Sequence, residues 1–302
     1  LIVLVWSADK FVFGAAATAK NFGMSPMLIG LTIVSFGTSA PEILVSLMAT
    51  IEDSGTLAIG NAIGSNIANI ALVLGATALI APLPVKNAVR TKEMPLMIAV
   101  TVISGAVLFN LKLNLIDSIL LFAALLISLI LFAKFQQGMH EHEDEEIPEM
   151  TTTVSLFWLV VGLLLLIASS KALVWGATEI ATALGVSDLI IGLTIVAIGT
   201  SLPELAASIT SALKGHHDIA IGNVIGSNIF NLGAVMSIPG FFGTIEFNSD
   251  VFYRDYLVML FVSLLLLAFC FMRKPAVVKR LEGTLLLGIY GAYMLVLYTV
   301  SV

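Results

Sequence analysis

Two glutamates, Glu42 and Glu204, stand in the middle of runs that are otherwise apolar. A carboxylate at bilayer depth is expensive and marks an ion path or a relay, unless it only pairs with a buried base. The nearest in-run bases by sequence, Lys10 and Lys171, lie in other segments and lack the surrounding motif. Each glutamate closes a block of the same design. One reads Gly37-Thr38-Ser39-Ala40-Pro41-Glu42 and the other Gly199-Thr200-Ser201-Leu202-Pro203-Glu204. Proline has no backbone N–H, and its ring clashes with the carbonyl four residues earlier. Pro41 is therefore expected to free the carbonyl of Gly37, Pro203 that of Gly199, and the helix to break at both. Irregular backbone at this depth is tolerated only where it lines a cavity or is buried in protein. Thr38, Ser39, Thr200 and Ser201 add hydroxyl oxygens beside the carboxylates.

A second pair of blocks follows. Gly60-Asn61-Ala62-Ile63-Gly64-Ser65-Asn66-Ile67-Ala68-Asn69 is matched by the run from Gly222-Asn223 to Asn231. Ser65 and Asn69 are four apart and share a helix face, as do Ser227 and Asn231. The glycines suit close approach of helices. Packing accounts for glycines and serines more readily than for two amides at symmetric places. The collected donors are carboxylate, amide, hydroxyl and carbonyl, without His or Cys. Such a set suits hard cations: Ca2+ takes about 6–8 oxygens at roughly 2.3–2.6 Å, whereas a transition metal favours imidazole or thiolate. Na+ is of similar size and takes the same ligands. Two ions competing for the same carboxylates is the minimal physics of an exchanger.

The elements that hold these residues follow from composition. The chain has 302 residues, 59% hydrophobic and only 11% charged, where a soluble domain carries about 25% charged residues. A soluble enzyme, a nucleic-acid binder and a disordered chain are excluded. Ten apolar segments are expected, at roughly 1–20, 24–50, 57–80, 94–109, 115–135, 154–183, 186–213, 219–241, 255–273 and 281–300, each near the ~20 residues a span needs. Residue 1 opens inside an apolar run without an initiator Met, so the sequence reads as truncated within its first span. The single cysteine, Cys270, lies in an apolar run and allows no internal disulfide.

Shifting the chain by 162 residues lays 30–46 on 192–208 with 11 of 17 residues identical, and 59–69 on 221–231 with 9 of 11 identical. Each copy holds five spans. Five is odd, so the second copy enters the membrane from the opposite side, and the two are related by an axis in the membrane plane. Secondary transporters use this architecture, with the site at the midplane between repeats. The expected fold is an all-α polytopic membrane protein of ten transmembrane helices. It comprises two inverted five-helix repeats, 1–135 and 154–302, with discontinuous core helices and an acidic linker at 136–153. One set of connections carries ten basic residues (Lys20, Lys86, Arg90, Lys92, Lys134, Lys214, Arg273, Lys274, Lys279 and Arg280), the other only Lys112 and Arg254. The positive-inside rule then puts both termini outside and the 136–153 loop in the cytoplasm. The formal charge of −6 resides in that loop, whose six acids at 141–149 have no basic neighbour. His140, His142 and these carboxylates form either a solvated hinge or a divalent-cation sensor.

The paired blocks resemble the alpha repeats of the sodium/calcium exchanger family, in the calcium/cation antiporter superfamily, and in particular its bacterial inner-membrane members. The resemblance implies four cation sites near the midplane. Glu42 and Glu204 would be shared by Ca2+ and Na+, with Thr38 and Thr200 flanking the calcium site. Ser39 with Ser65, and Ser201 with Ser227, would complete two outer sodium sites, with backbone oxygens from Ser35 and Ala197. Asn69 and Asn231 would sit at the middle site. Spans two, three, seven and eight would form the core, and spans one and six would slide across it. Potassium-dependent members carry an Asp where Asn231 stands, so K+ independence is expected. The implied activity is electrogenic Na+/Ca2+ antiport in a bacterial or archaeal cytoplasmic membrane, with no cofactor, no nucleic acid and no obligatory protein partner. A Ca2+/H+ antiporter of the same fold is the alternative, in which the two glutamates titrate. A cation channel is disfavoured by the inverted repeats.

Overall fold

The computed structural model describes residues 1–136, 149–185, 197–272 and 274–301. His140, His142 and five of the linker acids lie outside the described residues, as do 186–196 of the expected seventh span. The helices are α1 (Ile2–Phe22), α2 (Pro26–Thr38), α3 (Ala40–Ile51), α4 (Gly55–Ile80), α5 (Val89–Leu108), α6 (Leu115–Gln136), α7 (Thr152–Ala183), α8 (Ala197–Thr200), α9 (Leu202–Leu213), α10 (His217–Phe242), α11 (Val251–Met272) and α12 (Arg280–Ser301). Eight are long and apolar enough to cross a membrane, and α2 with α3 makes a ninth span, bent by 42°. The tenth expected span is represented by α8 and α9 alone among the described residues.

The bend has the expected cause. Ser39 interrupts the helix at φ −81° and ψ 1°, and Pro41 sits in the first turn of α3, where a missing N–H costs nothing. Ser201 interrupts the second copy at φ −90° and ψ 6°, with Pro203 in the first turn of α9. Two spans begin earlier than their hydropathy suggests. The fourth starts at Val89 rather than 94, and the ninth at Val251 rather than 255. Charged residues interrupt the apolar run at both places, yet the backbone there is already a π-helical turn, Val89–Glu93 and Val251–Tyr256. These turns coincide under the 162-residue shift. So do the π turns Ala68–Leu74 inside α4 and Asn231–Val235 inside α10.

Four two-residue strands join connections across the halves: β1 (Leu83–Pro84), β2 (Lys112–Leu113), β3 (Ile245–Glu246) and β4 (Val277–Val278). β1 pairs with β4 and β2 with β3, both antiparallel. β1 precedes α5 and β2 follows it, so the two ladders mark opposite ends of the molecule. Lys86 meets Asp218 at 2.8 Å, which puts the α9–α10 turn at the β1–β4 end. Thr56 reaches the carbonyl of Glu246, which puts the α3–α4 turn at the β2–β3 end. The pairing of connections is the one that an inverted repeat requires.

α4 and α10 form the centre, with 72% and 94% of their apolar windows buried, whereas α7 and α12 reach only 22%. α10 crosses α2 at bare backbone: a Cβ on Gly30 would lie 2.9 Å from the Ile219 carbonyl oxygen, and one on Gly222 would lie 2.9 Å from that of Met27. α1 and α7 pack antiparallel on the flank, in the same way. A Cβ on Gly162 would lie 2.6 Å from the Phe11 nitrogen, and one on Gly14 would run into Leu159.

Candidate cation site

The crossing of α2 with α10 lays the first GTSxPE block along the second GNxxGSN block. Thr38 donates its hydroxyl proton to Asn223 Oδ1 at 3.0 Å. Asn223 Nδ2 in turn donates to Ser208 Oγ at 3.0 Å and to the carbonyl of Glu204 at 3.4 Å. In the other half Asn61 Nδ2 donates to the carbonyl of Glu42, also at 3.4 Å. Each amide thus ties down the backbone of the glutamate in its own half. Asn66 and Asn228 repeat the pattern across the halves, Asn66 donating to Met259 Sδ and Asn228 to Met97 Sδ. Asn61, Asn66, Asn223 and Asn228 are missing from the expected donor set, although the 162-residue repeat marked all four positions.

Glu42 and Glu204 are each 1% exposed. Glu42 Oε2 and both carboxylate oxygens of Glu204 accept no hydrogen bond. The same holds for the hydroxyls of Ser39, Ser201 and Ser227 and for both amide atoms of Asn69 and Asn231. More than half of the buried side-chain polar atoms without a partner, among the described residues, belong to these seven side chains. Buried polar groups are ordinarily paired, and each exception calls for a reason. The charge of Glu42 acts on Glu204, and the hydroxyls of Thr38 and Ser39 approach Glu204 from the other half. The two blocks therefore meet at Glu204, and between them they present two buried acids together with buried hydroxyl and amide groups that lack a partner. Among the described residues no base is paired with either acid: Lys10 lies 5.4 Å over the Trp158 ring and Lys171 is exposed. A bound cation would supply the missing partner.

The remaining expected donors are placed differently. Ser35 is fully buried, and its carbonyl already accepts from Thr38 Oγ1 and from the Ser39 N–H. Ser65 is buried. Ala197 opens α8 at the edge of the described residues. The expectation of a free Gly199 carbonyl fails: Ser170 on α7 donates to it at 3.2 Å, because the break that releases the carbonyl also faces a hydroxyl. Asn69 and Asn231 lie at α-to-π junctions. The widened turn is a frequent device at functional sites and turns the amide out of the regular ladder. A cavity of about 600 Å3 lies between α3 and α7 and reaches Pro41, Gly199, Thr200 and Pro203, residues of both GTSxPE blocks. The two carboxylates do not line it. Thr200, half-buried, faces this cavity, whereas its counterpart Thr38 is fully buried.

The sequence model described as sodium/calcium exchanger protein matches residues 1–134 and 154–299. The chain belongs to the sodium/calcium exchanger family. It is 44% identical to the putative antiporter CaxA of Alkalimonas amylolytica, over 99% of this chain and 96% of that protein. It is 40% identical to the inner membrane protein YrbG of Escherichia coli K12, over 100% of this chain and 95% of that one. Solved structures of the sodium-calcium exchanger NCX_Mj, soaked with Na+ and Sr2+ or Ca2+, superpose with a TM-score of 0.84 at 33% identity, covering 96% of this chain and 93% of that chain. The chain is thus a multi-pass membrane exchanger of cations and not an enzyme. Ca2+ and Na+ are the family's cargo.

Proposed function

We propose that this exchanger moves Ca2+ against Na+ by alternating access, through a site built on Glu42 and Glu204. The observation that carries the reading is a pair of buried acids whose carboxylates make no ion pair among the described residues, in blocks whose buried hydroxyls and amides also lack partners. In this reading Glu42 and Glu204 serve both ions, and Thr38 and Thr200 flank Ca2+. Ser39 with Ser65 and Ser201 with Ser227 hold Na+ at the two outer sites, helped by the backbone oxygens of Ser35 and Ala197. Asn69 and Asn231 occupy the middle. The two halves, 1–135 and 154–302, are the moving units, and 136–153 links them.

Two carboxylates balance one Ca2+. Three Na+ on the same carboxylates leave one net charge, so the cycle is electrogenic. Asn231, uncharged, leaves no third carboxylate for K+, and exchange is K+-independent. Emptied, the site holds two unpaired acids in a dry interior, a state too costly to carry across. Exchange is thereby favoured over leak. Basic residues concentrate at the β1–β4 end, which makes that end cytoplasmic and the termini external. The cavity at Thr200 then opens outward. The test is calcium uptake into sodium-loaded vesicles. An outward Na+ gradient should drive uptake that makes the interior more negative, since three Na+ leave for each Ca2+ that enters, and K+ should not alter it. Uptake driven by a proton gradient alone would replace Na+ by H+ as the counter-ion.

A further inference from the structure

Asp9 on α1 and Lys214 at the end of α9 form an ion pair at 2.6 Å, and the Lys214 ammonium also sits 4.8 Å from the Phe13 ring. Lys214 belongs to the β1–β4 end, beside the Lys86–Asp218 pair. The 162-residue shift carries Asp9 to Lys171, Phe13 to Trp175 and, backwards, Lys214 to Glu52. The second set is again acid, base and aromatic ring, with the charges exchanged between the helices. All three members line the cavity at the β2–β3 end. There the pair is open. Glu52 and Lys171 are exposed, and neither side chain makes an ion pair or hydrogen bond among the described residues; Trp175 is 68% exposed. Ten residues of α3 separate Glu52 from Glu42, so the open pair stands about 15 Å from the site along the helix.

We propose that Glu52 and Lys171 are the second of two gate latches, closing over the cavity when Asp9 and Lys214 part. This rests on the alternating-access reading above. The mechanical reason is the α1–α7 contact. Gly14 and Gly162 let the two helices touch through their backbones, so α1 cannot shift along the core without α7. Asp9 on α1 and Lys171 on α7 each lie two residues beyond the Ser7–Ser169 contact, and because the helices are antiparallel they fall on opposite sides of it. A displacement that brings Lys171 and Trp175 onto Glu52 withdraws Asp9 and Phe13 from Lys214. The two ion pairs are then mutually exclusive, and a state with both open, which would leak, is disfavoured by whichever pair is left unmade.

The experiment uses the full chain in vesicles with Thr178→Cys as a reporter. Thr178 lines the cavity, and the native Cys270 is buried. Labelling by a membrane-impermeant maleimide measures how often the cavity is open. Lys214→Ala removes the closed latch and should lower the labelling rate about threefold, the scale of a partly exposed ion pair. Lys171→Ala should change it in the opposite direction. Glu52→Lys combined with Lys171→Glu should restore the rate that either substitution alone disturbs. Separately, Glu52→Cys with Lys171→Cys should cross-link on oxidation, stop calcium flux, and recover with reductant. Shifts in the same direction, no shift, or a cross-link that leaves flux intact would each overturn the latch. Sodium-driven calcium uptake by the unsubstituted protein is measured in parallel. Its absence would overturn the antiport reading, while the labelling still decides whether the two pairs oppose each other.

Discussion

The two ends of the molecule are built from one motif and stand in different states. At the β1–β4 end Asp9 is bonded to Lys214, and Thr38, the threonine of the first block, is fully buried against Asn223. At the β2–β3 end Glu52 and Lys171 stand apart, and Thr200 faces a cavity. Equal sequence blocks thus give unequal access. This is what two interconvertible halves produce when only one side is open at a time. The difference lies in packing, while the site's donors remain matched in pairs.

The largest test removes the donors both ends share. Glu42→Gln or Glu204→Gln takes away half of the site's formal charge. Disrupting a buried charge assembly costs about 3–5 kcal/mol, so calcium flux should fall more than about a hundredfold. Radiotracer uptake measures it. Near-normal exchange in either variant would show that the cluster is not the transport site. Next comes Asn223 against Asn61. Asn223 bonds Thr38, Ser208 and the Glu204 carbonyl, whereas Asn61 bonds the Glu42 carbonyl. At about 1 kcal/mol per bond, Asn223→Ala should destabilise the protein by roughly 2–3 kcal/mol and Asn61→Ala by about 1. Thermal unfolding in detergent compares them, and equal losses would deny the asymmetry. Gly162→Ala should cost about 1–3 kcal/mol by forcing α7 off α1. If the helices move as one body, flux should fall further than stability does.

The sequence made the site's acids legible because an inverted repeat writes them twice: Glu42 and Glu204 sit in matched blocks, and the breaks at Ser39 and Ser201 follow from the prolines behind them. The long apolar spans were legible for the same elementary reason, their length. Other features were not. The early starts at Val89 and Val251 hide behind charged residues, since hydropathy cannot see a π turn. Asn61 and Asn223 act through backbone carbonyls, and a motif names a residue type without showing which way its amide turns. The Gly199 carbonyl meets Ser170 from another span, a contact that spacing within one segment cannot report. The latch was hidden by its reversed charges. Asp9 lies on Lys171 under the shift, and a comparison that scores identity passes over it.

The smallest expected effect concerns the ladder that closes the open end. Lys112 on β2 bonds Glu246 on β3 at 2.7 Å. That hydrogen bond, and then the lysine's charge, hold the Glu246 carboxyl below the usual glutamate range. A lowered folded pKa means that the unfolded chain binds the proton first as pH falls. The contribution is therefore complete above the ordinary glutamate pKa and is lost as pH drops through the lowered value. Both side chains are well exposed, so salt should weaken the pair and the change should be slight. Hydrogen exchange at the β2–β3 amides, followed from neutral pH into acid and corrected for intrinsic rates, should show protection falling only below the ordinary glutamate range. Lys112→Ala should abolish that step and leave the β1–β4 ladder unchanged. A matching loss at β1–β4 would mean that acid acts on the whole molecule, and that the two ends are less independent at their surfaces than their different states suggest.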